Sequence, residues 1–337
     1  MPRVTEAPVT FSAAVRTAVE REGYDVIFGM GDAEVLALSA LRGTFKATVP
    51  YAPHEVVVSA IDKSGLQEAA RASGLRTPRT YDVRALQGLQ GSLIVKPSLN
   101  GHVGHVGAAK TAAKRVSGGL EAARQAAAVA AAGAVPLVQE AVRGDLLALV
   151  LLVDDTGRTV AAVQQRAERL YPSGVGISAR SRTEAVSADL ESRALRLLGR
   201  LGWHGLAELQ FIAEAGGDPV LIDLNGRFYG SLSLALAAGV NLPDLWARQA
   251  LGLPTGPRRE APAGVGYQWL EGDLRRAVQE RRGGLLRDVT DCLTAAPHLN
   301  HSMWASDDLL PLVRQVSRLA FFGAGKVARR LAARARA

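Results

Sequence analysis

Two short alternating runs separated by a glycine-rich turn constrain this chain more than any other stretch. The first, Glu208-Leu209-Gln210-Phe211-Ile212, and the second, Val220-Leu221-Ile222-Asp223-Leu224-Asn225, flank Gly216-Gly217-Asp218, which is the pattern of an antiparallel hairpin. Side chains alternate across a strand. Glu208 and Gln210 therefore share one face, and Asp223, Asn225 and Arg227 share one face of the returning strand. Folding about Gly216 sets Glu208 opposite the Asp223 to Asn225 segment. Two carboxylates, a carboxamide and an arginine then converge, a group suited to a hard divalent cation, since magnesium takes oxygen ligands from one or two carboxylates and from nucleotide phosphates. Taken alone, the hairpin fits a solvated sheet face equally well, because alternation by itself produces a polar side.

With 337 residues the chain can bury a sizeable core and form two or more lobes. Its 48% hydrophobic and 21% charged residues are those of a soluble globular chain. No apolar run has the length of a membrane span, and the start MPRVTEAPVT lacks the charged-then-apolar order of a secretory signal. A cytoplasmic protein is expected. Cys292 is the single cysteine, which excludes an intramolecular disulfide and a multi-cysteine zinc site, and it reads as an inert core residue. The net charge is +8, but seven basic residues and no acidic one lie from Leu312 to Ala337. The body is thus nearly neutral, and no nucleic-acid partner is expected from basicity.

In chain order, residues 1–78 read as an abbreviated α/β domain. It holds a helix over about Ser12–Glu22, a strand Tyr24–Phe28, the turn Gly29-Met30-Gly31-Asp32, a helix through Leu41, and a helix from Asp62-Lys63 to Ser73 closed by Gly74. Residues 79–142 form a smaller lobe. Its strand Ser92–Pro97 carries Lys96 and runs into the stretch Ser98 to Gly107, with glycines at 101, 104 and 107. Backbone N–H groups of such a loop can wrap phosphate oxygens beside a lysine point charge; a flexible surface loop is the other reading. His102 and His105 in that loop read as solvent-exposed. An alanine-rich helix over about Leu120–Ala132 and a strand Pro136–Val142 complete the lobe.

Residues 143–255 form a third lobe, opened by the antiparallel pair Leu146–Val153 and Thr159–Gln165. The segment Arg166–Arg182 has little periodicity and reads either as a mobile loop closing over an anionic substrate or as a solvated connection. A helix over Ser187–Leu201 precedes the hairpin. Residues 256–337 are an extension in which Val265–Leu274 is expected as a strand packing back on the third lobe, with Trp269 in the core. In the basic tail Leu312, Val316, Leu319 and Phe322 fall near one helical face. Three readings stay open for it: an amphipathic helix on an anionic membrane surface, a contact with an acidic partner, or a frayed terminus.

Taken in order, Lys63, Lys96 with its glycine loop, Gln139-Glu140, Glu208 and Asp223-Leu224-Asn225-Gly226-Arg227 resemble the ATP-grasp superfamily over residues 24 to 251. The likeness is greatest to carboxylate-amine ligases related to carbamoyl-phosphate synthase large chains. It implies an α/β (α+β) ATP-grasp fold with an abbreviated Rossmann-like N-terminal domain, a small lid lobe and a C-terminal antiparallel-sheet lobe. It also implies ATP and Mg2+ as cofactors. Lys63 and Lys96 would contact the ATP phosphates, and Ser98, Gly101 and Gly104 would fold over them. Gln139 and Glu140 would take the adenine, Glu208, Asp223 and Asn225 would hold magnesium, and Arg227 with Lys96 would face the transferring phosphoryl group. The implied reaction joins a small-molecule carboxylate to an amine through an acyl phosphate. Such chemistry needs positioning and charge neutralisation rather than a nucleophilic side chain. An ATP-binding module without turnover is the alternative, favoured by the short first domain and by Asp223 standing where the family commonly has glutamate.

Overall fold

The computed structural model describes residues 3–4, 6–99, 113–214, 216–304, 308–311 and 313–314. Gly101, Gly104, His102 and His105, like Leu312, Val316, Leu319 and Phe322 of the tail, lie outside the described residues.

Four helices come first: α1 (Pro8–Glu22), α2 (Asp32–Ala40), α3 (His54–Ile61) and α4 (Lys63–Ala72). Pro8 opens α1 with its φ already helical, and Gly23 closes it at φ 71°. The strand expected over Tyr24–Phe28 is reduced to one parallel bridge, Val26 with Thr48. Ile27 N donates to Thr48 O and Thr48 N to Asp25 O, and Pro50, lacking an N–H, cuts the ladder short.

The small lobe follows: β1 (Thr80–Tyr81), β2 (Ser92–Pro97), β3 (Lys114–Ser117), α5 (Gly118–Ala131) and β4 (Pro136–Glu140). Its strands pair antiparallel in the order β1-β4-β2-β3. Leu93, Val95, Val116 and Val138 pack on Ala122, Ala126 and Val129 of α5 as a core of their own. Strand alternation leaves Ile94, Lys96, Leu137 and Gln139 on the opposite face, with Ile94 opposite Gln139 and Lys96 opposite Leu137.

The large sheet comprises β5 (Asp145–Val153), β6 (Thr159–Tyr171), β7 (Ile177–Glu184), then, after α6 (Ala188–Leu201), β8 (Gly205–Ala213) and β9 (Val220–Asn225). After α7 (Leu232–Ala237) and α8 (Leu242–Ala250) come β10 (Arg259–Glu260), β11 (Gly266–Gln268), α9 (Leu270–Glu280), α10 (Leu285–Ala295) and β12 (Asn300–His301). The strand order is β12-β11-β7-β6-β5-β8-β9, with β10 alongside β6. Central β5 is covered on both faces, which is why its sequence is a continuous apolar run rather than an alternating one. An aromatic cluster of Phe28, Tyr51, Phe228 and Trp246 joins the N-terminal helices to this sheet, with ring centroids 4.8 to 5.4 Å apart. No helix among the described residues is long and apolar enough to cross a membrane.

Two expectations are corrected here. Arg166–Arg182 is neither a mobile loop nor a solvated connection but most of a hairpin, in which Arg166 lies opposite Arg182 and Leu170 opposite Ser178. Two of its four arginines are spent on cross-strand pairs, Arg166 with Glu184 and Arg182 with Glu168, so charge pairing replaces the apolar alternation that normally announces a strand. Val265–Leu274 forms a strand only over Gly266–Gln268, because the helical pattern of α9 takes over at Leu270. Trp269 is half-buried at that junction, edge-on to Tyr171, rather than in the core.

The extension is held to the sheet by buried charge. Asp273 of α9, fully buried, accepts from Arg169 of β6, Arg180 of β7, Arg276 of its own helix and Gln268 of β11. Arg276, also fully buried, reaches on to Asp288 of α10. Burial alone would raise the Asp273 carboxyl, but the Gln268 hydrogen bond and the arginine charges outweigh it and hold the group below its usual range. Cys292 is buried as expected, yet in this ionic setting, its sulfur 3.6 Å from Arg169 Nη1 and Arg276 Nη2.

Candidate active site

The hairpin at the sheet's edge is β8 and β9, turned through Gly216 at φ 71°. Glu208 lies opposite Asn225 and Gln210 opposite Asp223, with a bulge between Gln210 and Phe211. Asn225 Nδ2 donates to Glu208 Oε2 at 2.8 Å, and Gln210 Nε2 donates to the same oxygen at 3.2 Å. Burial pushes the Glu208 carboxyl up to about 7, against the pull of the Asn225 hydrogen bond and the Arg227 charge. For a bare carboxylate in that position, the Arg227 charge does not offset the cost of burial. Gly226 follows because a Cβ there would sit 2.1 Å from the Trp203 ring. The chain then turns Arg227 back, its Nη2 donating to Asn225 Oδ1 at 3.0 Å and its Nε to Asp32 Oδ1 at 2.6 Å.

The two lysines reach the hairpin from different lobes. Lys63 opens α4 and is buried, with Nζ 3.2 Å from Asp223 Oδ1. Lys96, at the end of β2, donates from Nζ to Ile222 O at 3.1 Å. Burial lowers the Lys96 ammonium to about 8, with Asp223 opposing the shift and Lys63 adding to it. Asp62 holds the junction. It caps α4 by accepting from Ser64 N and Gly65 N, and its Oδ1 accepts from Ser98 Oγ at 2.5 Å. Lys63 N in turn donates to Ser98 O at 3.1 Å. Replacing Asp62 by Ala removes the cap and the Ser98 anchor together. The expected loss is about 1–2 kcal/mol in chemical denaturation, at the upper end for an N-cap; a loss below a few tenths would contradict this role.

Other residues singled out in the sequence lie further off or are otherwise engaged. Gln139, buried on the inner face of β4, donates from Nε2 to Thr80 Oγ1 at 3.3 Å, and Thr80 donates on to Gln67. Glu140 is exposed and its carboxylate accepts from Arg79 N at 3.0 Å. The remainder of the cleft is built by β6, β7 and the turn after β9. Gln165 Nε2 donates to Ser231 Oγ at 2.6 Å, while Gln165 Oε1 and the Tyr229 hydroxyl are buried with no hydrogen-bond partner among the described residues. The cleft encloses about 230 Å³ and is lined by Glu208, Asp223, Asn225 and Arg227 together with Gln165, Ser178, Tyr229 and Ser231.

The oxygen atoms of Glu208, Asp223 and Asn225 fit a hard cation by their chemistry, and the observation that favours one is the burial of the Glu208 carboxylate, 4% exposed, with amide donors on Oε2. Residues 137–273 match a family model described as ATP-grasp in the biosynthetic pathway with Ter operon. The model overlays on the biotin carboxylase domain of 2-oxoglutarate carboxylase from Hydrogenobacter thermophilus with a TM-score of 0.60 at 15% identity, covering 73% of this chain and 58% of that one. The fold is ATP-grasp.

Biotin carboxylase from Campylobacter jejuni shares this ATP-grasp architecture at a TM-score of 0.58 and 13% identity, over 72% of this chain and 58% of that one. An L-amino acid ligase from Bacillus licheniformis does so at 0.55 and 16%, over 71% and 59%. The chain therefore spans a little under three fifths of the length of these relatives. No curated protein matches it in sequence. The α/β class and ATP-grasp layout expected from the motif order are borne out. Within the ATP-grasp cleft, sequence reasoning passed over Asp32, Asp62, Gln165, Tyr229 and Ser231. The turn Gly29 to Asp32 draws attention through its glycines, whereas the residue that reaches the cleft is Asp32, an acid at the first position of a helix.

Proposed function

We propose that the chain is an ATP-dependent ligase of the carboxylate-amine branch, in which a carboxylate is activated as an acyl phosphate and passed to an amine. The observation that carries this reading is the convergence of Lys63 and Lys96, from two other segments, on the hairpin whose strands and following turn carry Glu208, Asp223, Asn225 and Arg227. Support comes from the relatives. The Hydrogenobacter thermophilus domain was captured with MgADP and bicarbonate, and the Bacillus licheniformis protein is an L-amino acid ligase.

In this reading Lys63 and Lys96 neutralise the nucleotide phosphates, and Ser98 holds the Lys63 backbone at the small lobe's edge. Gln139, Glu140, Gly101 and Gly104 complete the nucleotide site. Glu208, Asp223 and Asn225 hold Mg2+, which when bound offsets phosphate charge. A carboxylate oxygen attacks the γ-phosphorus, the bond to the bridging oxygen breaks, and ADP leaves. Arg227, oriented by Asp32 and Asn225, faces the phosphoryl oxygens, where charge is greatest. The amine then attacks the acyl carbon, phosphate departs with the bonding pair, and the amine proton passes to solvent. The Gln165 Oε1 and Tyr229 hydroxyl, without partners among the described residues, line the same cleft, where a substrate bearing N–H or O–H groups satisfies them.

The test is release of ADP and phosphate that requires both an added carboxylate and an added amine. Asp223→Asn, which keeps an oxygen toward Lys63 and so preserves the fold, is expected to lower it by about 10²–10³-fold. Tight MgATP binding with no turnover across a broad panel of carboxylates and amines would favour the non-catalytic module instead.

A further inference from the structure

The helix pair of the extension, α9 and α10, turns an apolar stripe outward. On α10, Leu286 is 84% exposed and Leu293 52%, and with Leu285 and half-buried Val289 they follow the three-and-four spacing of one helical face. Val278 of neighbouring α9 is exposed as well. The stripe cannot roll inward, because Asp288, on the side of α10 opposite Leu286 and Leu293, is locked into the buried arginine network, as is Cys292 beside it. Single exposed leucines are ordinary on a protein surface, whereas a contiguous apolar face marks an interaction site.

What surrounds the stripe is basic. Arg275, Arg281, Arg282 and Arg287 are all exposed in and around the turn between the two helices. Two of them meet acids, Arg282 with Glu280, which Arg276 shares, and Arg275 with Glu271, whereas Arg281 and Arg287 form no ion pair among the described residues. Arg281 stands in the left-handed region at φ 53°, a helix-ending position that favours glycine, so a cation occupies the rim at some conformational cost. Leu309, Leu310 and Val313 are exposed further on, and from residue 314 the sequence adds seven basic residues and no acidic one.

We propose that this face of α9 and α10 docks on an anionic phospholipid surface, with Leu286 and Leu293 entering the acyl boundary and the arginines meeting headgroup phosphates. An apolar helical stripe flanked by arginine is the signature of a helix lying in the interface plane, and attraction to an anionic leaflet reinforces it. The charge complementarity names the partner, since a neutral apolar protein face would leave Arg281 and Arg287 without counter-charge.

The test floats the full-length protein with vesicles of phosphatidylcholine alone or of phosphatidylcholine mixed with phosphatidylserine. Binding is expected only to the mixed vesicles and should weaken with added salt. The double variant Leu286→Ser/Leu293→Ser, which changes only exposed positions, should bind at least about tenfold more weakly with an unchanged melting temperature. Arg281→Ser/Arg287→Ser should lose the preference for phosphatidylserine. Wild-type protein that ignores both vesicles overturns the proposal, as does a leucine variant that binds like wild type, which would assign binding to the tail alone. A lipid-independent dimer dissolved by the leucine substitutions, without vesicle binding, overturns it in favour of a second copy of the chain.

Discussion

Glu208→Gln is expected to stabilise the metal-free protein while lowering turnover by about 10³-fold or more. The two effects have one cause. Burial sets the folded carboxyl near 7 against an ordinary value of 4.5, so between those two pH values the folded state holds a proton that the unfolded state has lost. Stability from this group is therefore fully present below about 4.5 and falls as the pH rises to about 7, by roughly 3 kcal/mol in total. A glutamine keeps an oxygen for Asn225 Nδ2 and carries no charge to desolvate. Denaturation of metal-free wild type and variant at several pH values should show the gap opening across that window. A gap of similar size at pH 4 and pH 8 would mean that Glu208 is not the strained group described here.

The largest purely structural loss is expected at Asp273. Asp273→Ala leaves Arg169, Arg180 and Arg276 sharing the remaining acids, Asp288, Asp291 and Glu280, in a buried setting. Breaking a buried pair on one side costs about 3–5 kcal/mol, most of it the uncompensated charge left behind. Because the Asp273 carboxyl is held below its usual value, its contribution is present at neutral pH and disappears as the pH falls through that lowered value. The effect should reach the cleft. The network clamps α9 onto β6 and β7, the strands that carry Gln165 and Ser178 of the cleft lining. Hydrogen exchange should therefore accelerate in α9, β6 and β7 together in this variant. Acceleration confined to α9 and α10 would mean the extension is docked without supporting the site.

How much of this was legible in the sequence follows from the range of each interaction. The β8–β9 hairpin was readable because alternation and a glycine turn are local, and they set Glu208 against Asn225 without any tertiary information. Lys63 and Lys96 were readable only as members of an ordered motif set, since nothing local announces that the start of α4 and the end of β2 both meet β9. The hairpin of β6 and β7 was hidden because its arginines satisfy one another's acids across strands, which erases the apolar period. Asp32 and Asp62 escaped notice for a related reason: each sits at a helix start, where an acid is ordinarily explained by capping, and only the fold brings Asp32 to Arg227 and Asp62 to Ser98. The ion network around Asp273 joins residues more than a hundred positions apart and had no signature along the chain.

The account's central claim is that the cleft between the small lobe and β9 binds MgATP through the Glu208 group. Thermal unfolding of wild type and Glu208→Gln, with ATP and with and without magnesium, tests it most directly. A ligand at about 100 times its dissociation constant adds about 2.7 kcal/mol to the folded state, a shift of several degrees. The prediction is a magnesium-dependent rise in wild type that is absent from the variant, even though the variant's metal-free melting temperature is the higher of the two. No rise in wild type, or an equal rise in both proteins, would contradict the placement of the nucleotide and its metal at this hairpin.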